Sequence, residues 1–396
     1  MATKRKTPED LLSRGVEEII QRSSLEEKLR SGRPLRIKHG VDPTTKDLHL
    51  GYATVYQKLR AFQELGHTII FLVGDFTARF GDPTDRVQQR NLRAKNDIEE
   101  KAQSYINQIG KILDIKKTEI RRNSEWYEKM SAEELLQLLS RFTVSRLLER
   151  DMFDKRLKAK KEIGYHEPVY PILQAYDSVQ LKSDFTVIGT DQKFNELQGR
   201  ILQKEFGQAP QDVMTMKLLI GTDGQRKMSQ SLGNYIGITE SANEMYGKVM
   251  SIPDSLIMHY FELATLVPAR ELKALEGELQ SGENPRNIKA RLAREIVKQY
   301  HGKVESEKAA AEFDRVFRDK KTPEKTSAYT VTKQRLSLPE VLVAAKLASS
   351  KSEARRLVEQ GGVKIDGKAH TDWQHPVSLK KGMVIQAGKR KFVKIQ

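Results

Sequence analysis

The chain has 396 residues, 38% hydrophobic and 31% charged, with 69 Lys and Arg against 53 Asp and Glu, a net charge of +16 and no cysteine. That length buries a sizeable core in two or three domains; the missing cysteine excludes disulfides and thiolate metal sites and argues against zinc. No stretch reaches the ~18 apolar residues of a membrane-crossing helix, Glu9 and Asp10 make the start unlike a signal or transit peptide, and the cationic excess points to a polyanionic partner such as nucleic acid.

Residues 8–31 read as one charged amphipathic helix ending at Ser31-Gly32. Alternation over 35–41 predicts a strand, which Asp42-Pro43-Thr44 breaks because proline fixes φ and gives up a donor. A helix then opens at His49 and runs to Leu65, with Gly66 as a left-handed stop. The apolar run 69–73 suits a central parallel strand, so that strand, helix and strand form a βαβ unit. Beyond that strand, residues 74–86 place Asp75, Asp82 and Asp85 beside Arg79 and Arg86 in a glycine-broken loop. Ligands of such sheets sit beyond the carboxyl ends of parallel strands, and helix N-termini attract phosphate.

Residues 98–148 read as mostly helical, with a strand near 117–122, and 142–164 as a basic helical continuation. Over 170–177, Tyr170, Gln174 and Asp177 recur at helical spacing, as the polar wall of a pocket or as a surface face. A buried strand at 185–189 runs into Thr190-Asp191-Gln192 and a helix through Gln203. A strand at 216–220 precedes a Gly-, Ser- and Lys-bearing loop, 221–233. That loop suits either a solvated linker or a mobile phosphate clamp using Lys227, Ser229 and Ser231. Helices follow from Ser241, then a polar linker. The last 62 residues, with 13 Lys and Arg against 5 Asp and Glu, form a helix-then-strand module with an Asp366-Gly367 hairpin turn. A basic module of this kind is most simply an RNA-binding appendage.

Five motifs occur in order: Gly-Val-Asp-Pro-Thr with His-Leu-Gly-Tyr (40–52), Gly-Asp-Pro-Thr (81–84), Tyr-Pro-Ile-Leu-Gln-Ala-Tyr-Asp (170–177), Gly-Thr-Asp-Gln (189–192) and Lys-Met-Ser-Gln-Ser-Leu-Gly-Asn (227–234). On them the chain resembles the bacterial tyrosyl-tRNA synthetases over nearly its full length, in the branch with a Lys-Met-Ser-Lys-Ser loop and a terminal RNA-binding domain of the ribosomal S-four type. The resemblance implies an α/β fold: a Rossmann-like parallel-sheet catalytic domain over 1–221 with a helical dimer-interface insertion near 120–165. A mobile signature loop and linker (222–240), an α-helical anticodon-binding domain (241–322), a linker (323–334) and a small α+β RNA-binding domain (335–396) would follow.

It also implies a cytoplasmic, homodimeric ligase of protein biosynthesis that uses ATP with Mg²⁺, L-tyrosine and tRNA(Tyr), with no metal held by the protein itself. Asp177, on the side of the pocket that Lys38 occupies, would face the phenol. Tyr170, Gln174 and Asp82 would hold the ammonium, and Gln192 would help fix the tyrosine. Asp191 and Gly189 would take the ribose, with Gly51 and Tyr52 also at the nucleotide. Asp42, Thr44 and His49 would sit near the phosphates. Lys227, with Met228, Ser229, Gln230 and Ser231 of its loop and Arg86 and Arg90 of another, would clamp the pyrophosphate. A substrate carboxylate attacking the α-phosphate needs no general base, so alignment and charge stabilisation would do the catalysis. Three residues depart from the pattern: Tyr52 replaces the second signature histidine, Gln230 the second loop lysine, and Ile188 a glycine. They leave a catalytically silent, RNA-binding paralogue as the alternative; the sister tryptophan enzyme fits the Tyr170-Gln174-Asp177 face less well.

Overall fold

The structure, a computed structural model, describes residues 8–82, 94–317, 327–330, 335–388 and 391–396. It divides into two compact units, one of residues 1–241 and 248–302, the other of 242–247 and 303–396.

The first unit is built on a six-stranded sheet: β1 (Val16–Ile20), β2 (Arg36–Val41), β3 (Thr68–Val73), β4 (Thr118–Arg122), β5 (Phe185–Gly189) and β6 (Asp212–Met216), in the order β1-β6-β5-β2-β3-β4. All pairings are parallel except β1 with β6. Strand β3 shows why: Ile69 to Val73 are all buried, as a strand covered on both faces requires. The Leu50–Glu64 helix carries the crossover from β2 to β3. It buries Tyr56, Leu59 and Phe62, the last set edge-on to Phe185 at 5.4 Å. Because β5 pairs with β2 on the side away from β3, the chain reverses its direction of travel across the sheet there, which opens a crevice at the carboxyl ends of β2 and β5.

Two expectations are corrected. Residues 8–31 form a Pro8–Ser13 helix, then β1, then an Arg22–Arg30 helix. Gly15, at φ +66°, ends the first helix where a Cβ would lie 2.9 Å from Leu263. The Glu17-Glu18 pair disguises β1 as helix, and its partner β6 lies some 200 residues away. The strand foreseen at 216–220 instead ends at Met216 and begins at Asp212, whose buried carboxylate meets Lys28 at 2.9 Å and Arg200 at 3.5 Å. Residues beyond it are used otherwise: the Lys217 N–H goes to the Gly15 carbonyl and the Ile220 N–H to His259.

Residues 248–302 share this unit with the sheet rather than standing apart. Arg14 illustrates the bond, donating to the carbonyls of Phe261, Glu262, Thr265 and Val267. The long Pro285–Phe317 helix breaks at Gly302, whose φ of 83° no helix accommodates.

In the second unit, helices Leu338–Ala344 and Lys351–Glu359 pack on two small sheets. A reciprocal cap between Ser337 and Glu340 starts the first helix, and Ser350 caps the second. Their apolar faces (Val341, Leu342, Ala354, Val358) join Val363, Ile385 and Val393 in one core. The Asp366-Gly367 turn has φ of 47° and 81°, as a two-residue hairpin demands. Ser327–Tyr329, within the expected 323–334 linker, is a strand paired in parallel with Lys391–Ile395, so the module's sheet begins before residue 335.

Candidate active site

The parallel strands deliver their ends to one crevice. Asp42 follows β2, Gly74 and Asp75 follow β3, Asn123 follows β4, and Asp191 follows β5. The Asp42 carboxylate accepts from Thr77 Oγ1 at 2.8 Å and from the Tyr170 phenol at 3.0 Å. A side chain at Gly74 would occupy the space of that carboxylate.

Asp177 lies on the helix Tyr170–Leu181, buried at 3% exposure. It accepts from Trp126 Nε1 at 3.1 Å and more loosely from Asn123 Nδ2 at 3.5 Å. Asn123 also donates to Thr77 and accepts from the Phe76 N–H, so Asp177, Asn123, Thr77, Asp42 and Tyr170 form one hydrogen-bonded line. Burial pushes the Asp177 carboxyl up to about 7, against the downward pull of Lys38, Tyr127, Asn123 and Trp126. Such a group is poised to read a hydroxyl.

His49 is the N-cap of the Leu50–Glu64 helix, and its Nδ1 accepts the Gly51 N–H at 3.1 Å. Burial lowers its pKa to about 3, so the ring is neutral and Nε2 carries the proton, a donor at a helix N-terminus. A Cβ on Gly51 would strike the His49 ring at 2.9 Å and touch Met228 at 3.7 Å. The turn before the cap is pinned by Gln108, which receives the Leu48 N–H and donates to the Lys46 carbonyl, and by Tyr105, whose hydroxyl bonds Thr45. Thr44 sits in this turn, its N–H on the Asp42 carbonyl. Tyr52 lies over His49 at 4.5 Å; burial, then Tyr105, Asp191, Asp42 and Asp82, raise its pKa, so it remains a neutral phenol.

In the 221–234 loop, Lys227 Nζ meets Asp191 at 2.9 Å. Asn234, buried, ties the loop together by bonding Asp223, the Lys227 carbonyl and the Ser229 N–H. Burial opposes ionisation of Asp223, but the Gln225 and Arg226 N–H groups, the Arg226 guanidinium and Asn234 hold it at about 2. Gln230 donates to the Asp47 carbonyl, and Ser229 and Ser231 share a bond of 2.9 Å. Ile188 is a buried member of β5, and a Cβ at Gly189 would lie 2.7 Å from Asp191.

Lys38 is placed differently from expectation. Its ammonium, 1% exposed, meets Ser178 at 2.7 Å and Glu196 at 2.9 Å, so its charge acts on Asp177 without facing open space. Gln192 donates to Asp82 at 2.7 Å, and Gln174 to Glu196 at 2.8 Å. Arg86 and Arg90 lie outside the described residues. Sequence reasoning passed over Asn123, Trp126, Asn195 and Glu196. The position of Asn123 at a parallel strand's carboxyl end was a usable signal; Glu196, in a charged helical run, offered none.

The chain matches the family described as tRNA synthetases class I (W and Y) over residues 30–318, and the tyrosine–tRNA ligase SYY-like C-terminal domain over 312–395. It is 49% identical to a tyrosine–tRNA ligase of Moorella thermoacetica, covering 97% of this chain and 94% of that one. It is 46% identical to that of Bordetella avium (96% and 94%) and 45% to that of Thermotoga maritima (98% of each). In fold it resembles a truncated Aspergillus nidulans mitochondrial tyrosyl-tRNA synthetase (TM-score 0.65, 22% identity, 78% of this chain and 92% of that). A tyrosine-bound Archaeoglobus fulgidus tyrosyl-tRNA synthetase is similar too (TM-score 0.62, 22% identity, 76% and 98%).

Proposed function

The chain belongs to the class I tRNA synthetases for tryptophan and tyrosine and, within them, to the tyrosine–tRNA ligases; from that premise we propose that it activates L-tyrosine with ATP and passes the tyrosyl group to the 3′-terminal ribose of tRNA(Tyr). The observation that carries the choice of tyrosine is the buried Asp177 with Trp126 and Asn123 on its oxygens. A buried carboxylate that pairs with a substrate hydroxyl penalises the analogue lacking it.

The tyrosine carboxylate, already ionised, attacks the α-phosphorus. A carboxylate–phosphorus bond forms as the bond to the β-phosphate oxygen breaks, and pyrophosphate leaves. No proton needs removing at this step. The His49 Nε2–H, Thr44 and Lys227 supply donors for charge growing on phosphate oxygens, with Arg86 and Arg90 in the same role. Tyr170, Gln174 and Asp82 hold the ammonium, Gln192 keeps Asp82 and the tyrosine in place, and Asp191 with Gly189 takes the ribose. Asp42, occupied by Thr77 and Tyr170, aims the Tyr170 hydroxyl. Gly51 and Met228 form a close-packed floor beside the nucleotide, and Tyr52 replaces a histidine with a neutral phenol. Gln230 and the two serines stiffen the clamp.

No group of three His, Asp or Glu side chains among the described residues could hold a metal. Mg²⁺ would enter as a companion of the triphosphate, its usual mode with nucleotides.

The homodimer would form through 120–165, where Leu136 (66% exposed), Val144 (61%), Leu157 (52%) and Tyr165 (87%) present large apolar groups to solvent. The basic terminal module would hold tRNA, and the compartment would be the cytoplasm; no described helix is long and apolar enough to cross a membrane.

Tyrosine-dependent ATP–pyrophosphate exchange tests the reading, with phenylalanine and tryptophan as controls. Exchange with tyrosine alone is expected; none, in folded protein that still binds tRNA, would favour the silent paralogue.

A further inference from the structure

Lys38 and Glu196 form an ion pair buried to 1% exposure on each side, on different elements of the first unit. Lys38 comes from the middle of β2, Glu196 from the first turn of the Lys193–Glu205 helix. A buried pair is weak evidence for stability, because desolvation offsets most of the attraction. Its neighbours indicate another use. Glu196 Oε1 receives Gln174 Nε2 at 2.8 Å, and Oε2 receives Gln211 Nε2 at 2.7 Å. Gly199, one turn on, makes room: a Cβ there would lie 2.9 Å from Ser178 Oγ and 3.0 Å from Gln211 Nε2. A glycine inside a helix is disfavoured relative to alanine, so the packing at this spot is specific.

An ionised carboxylate only accepts hydrogen bonds. Gln174 must therefore offer its NH₂ to Glu196, which turns its carbonyl the other way, toward Asn195 Nδ2 at 2.8 Å. The same Asn195 NH₂ donates to the Gln192 carbonyl at 3.1 Å, and Gln192 in turn gives its NH₂ to Asp82 at 2.7 Å. Carboxylates thus stand at both ends of the chain of amides. Between them, the carbonyl oxygens of Gln174 and Gln192 both accept from the buried Asn195 NH₂, which fixes the direction of each amide and leaves each oxygen its second lone pair.

We infer that the Lys38–Glu196 pair is a positioning device that sets the direction of these amides, so that Gln174 presents an oxygen rather than an NH₂ to the ammonium of the amino-acid substrate. Lys38 pairs with Glu196 in a dry site, Glu196 orients Gln174, and the orientation makes the pocket read a cation. The inference rests on the substrate reading above and deepens it: it concerns the amino group of the substrate, whereas Asp177 concerns the phenol.

The test uses the full chain and three ligands: L-tyrosine, tyramine, which keeps the ammonium and lacks the carboxylate, and 3-(4-hydroxyphenyl)propanoate, which lacks the ammonium. Glu196→Gln alone strands the Lys38 charge and can fail to fold. The companion variant, Lys38→Met with Glu196→Gln, removes both charges together and leaves Gln174 free to turn. Calorimetric binding to the double variant, folded by its thermal transition, is expected to weaken roughly 10- to 100-fold for tyrosine and tyramine, as losing a hydrogen bond to a charged group does. Binding of the ammonium-free acid should weaken far less, by only the loss that removing the Lys38 charge near Asp177 imposes on all three phenol ligands alike. Equal weakening of all three ligands would overturn the inference, showing a pair that merely supports the pocket wall, and so would no weakening of any. A wild-type chain that bound none of the three would instead overturn the substrate reading itself.

Discussion

Lys227 and Asp191 are joined by an ion pair, Nζ to Oδ2 at 2.9 Å. Both are proposed to meet ATP, one at the leaving pyrophosphate and the other at the ribose, so each would serve as the other's stand-in. The two side chains are 34% and 26% exposed, and a partly solvated pair contributes only about 0–1 kcal/mol. Nucleotide can displace it at little cost. Lys227→Ala should lower the rate of adenylate formation about 10²- to 10³-fold, as removing a transition-state donor does. Tyrosine affinity and the thermal midpoint should hardly move. Pre-steady-state adenylate formation with equilibrium tyrosine binding checks this; a matching loss of tyrosine affinity would place Lys227 elsewhere.

Asp177→Asn should cost discrimination more than nucleotide binding. Tyrosine enzymes in general reject phenylalanine by about 10⁴–10⁵, a property of the class and not a value obtained from this structure. The variant should lose most of that ratio with the KM for ATP within about twofold, since its amide can leave Trp126 facing an NH₂ and no longer offers a charge to the phenol. Exchange assays with both amino acids decide it, and equal losses for tyrosine and ATP would sink the assignment.

The same residue has a pH signature. Its carboxyl titrates near 7 in the folded chain against about 3.9 when unfolded. The folded state therefore binds the extra proton, so this group's contribution to stability is full below about 4 and is lost as pH rises through 7. Denaturant titrations at pH 5 and pH 8 should show the wild type losing ground to Asp177→Asn at the higher pH. Tyrosine binding moves the other way: ionised Asp177 is the better acceptor, so the KM for tyrosine should fall from pH 6 to pH 8. In Asp177→Asn that dependence should vanish.

His49 carries opposite linkage. Held neutral, with its pKa depressed to about 3, it contributes stability that is present above about 6.5 and lost as pH falls toward 3. It should add no inflection near 6.5 to the pH profile of kcat. His49→Asn keeps an acceptor for the Gly51 N–H and should retain more activity than His49→Ala, which loses a cap typically worth ~1 kcal/mol. An asparagine variant no better than alanine would show that the imidazole Nε2, rather than the cap, is what matters.

Removing the terminal module should weaken tRNA charging and leave tyrosine activation nearly intact. The cut belongs before Ser327, because Ser327–Tyr329 pairs with Lys391–Ile395 and a cut at residue 335 would strand that segment. The remaining affinity for tRNA should depend less steeply on salt, since phosphate contacts by Lys and Arg carry that dependence. Collapse of pyrophosphate exchange in the shortened chain would show that the module supports the catalytic unit.

Much of this site was legible in advance because its parts are local. Alternating residues before Asp42-Pro43, the apolar run of β3 and the glycine after Leu65 each announce an element within a few residues, and the structure has β2, the Leu50–Glu64 helix and β3 where they were read. The helical spacing of Tyr170, Gln174 and Asp177 put them on one helix, Tyr170–Leu181. Misreadings came where a distant partner overrode local character. Glu17 and Glu18 look helical until β6 pairs with the strand that holds them, Glu18 opposite Thr215, and Asp212 looks unsuited to a buried strand until Lys28 and Arg200 neutralise it.

By itself, then, the sequence determined the order of β2, the Leu50–Glu64 helix, β3, the Tyr170–Leu181 helix and β5, the parallel sheet that places its loops at one edge, the basic terminal module and the family. Those follow from periodicity, turn chemistry and charge, which act over a few residues. Only the tertiary structure decided which groups meet in the crevice: Trp126 on Asp177, Tyr170 on Asp42, and Lys38 against Glu196 instead of open space. The reason is physical. A charge removed from water must find its partner wherever the fold brings one, and Glu196, 158 positions beyond Lys38, carries no local mark of that role.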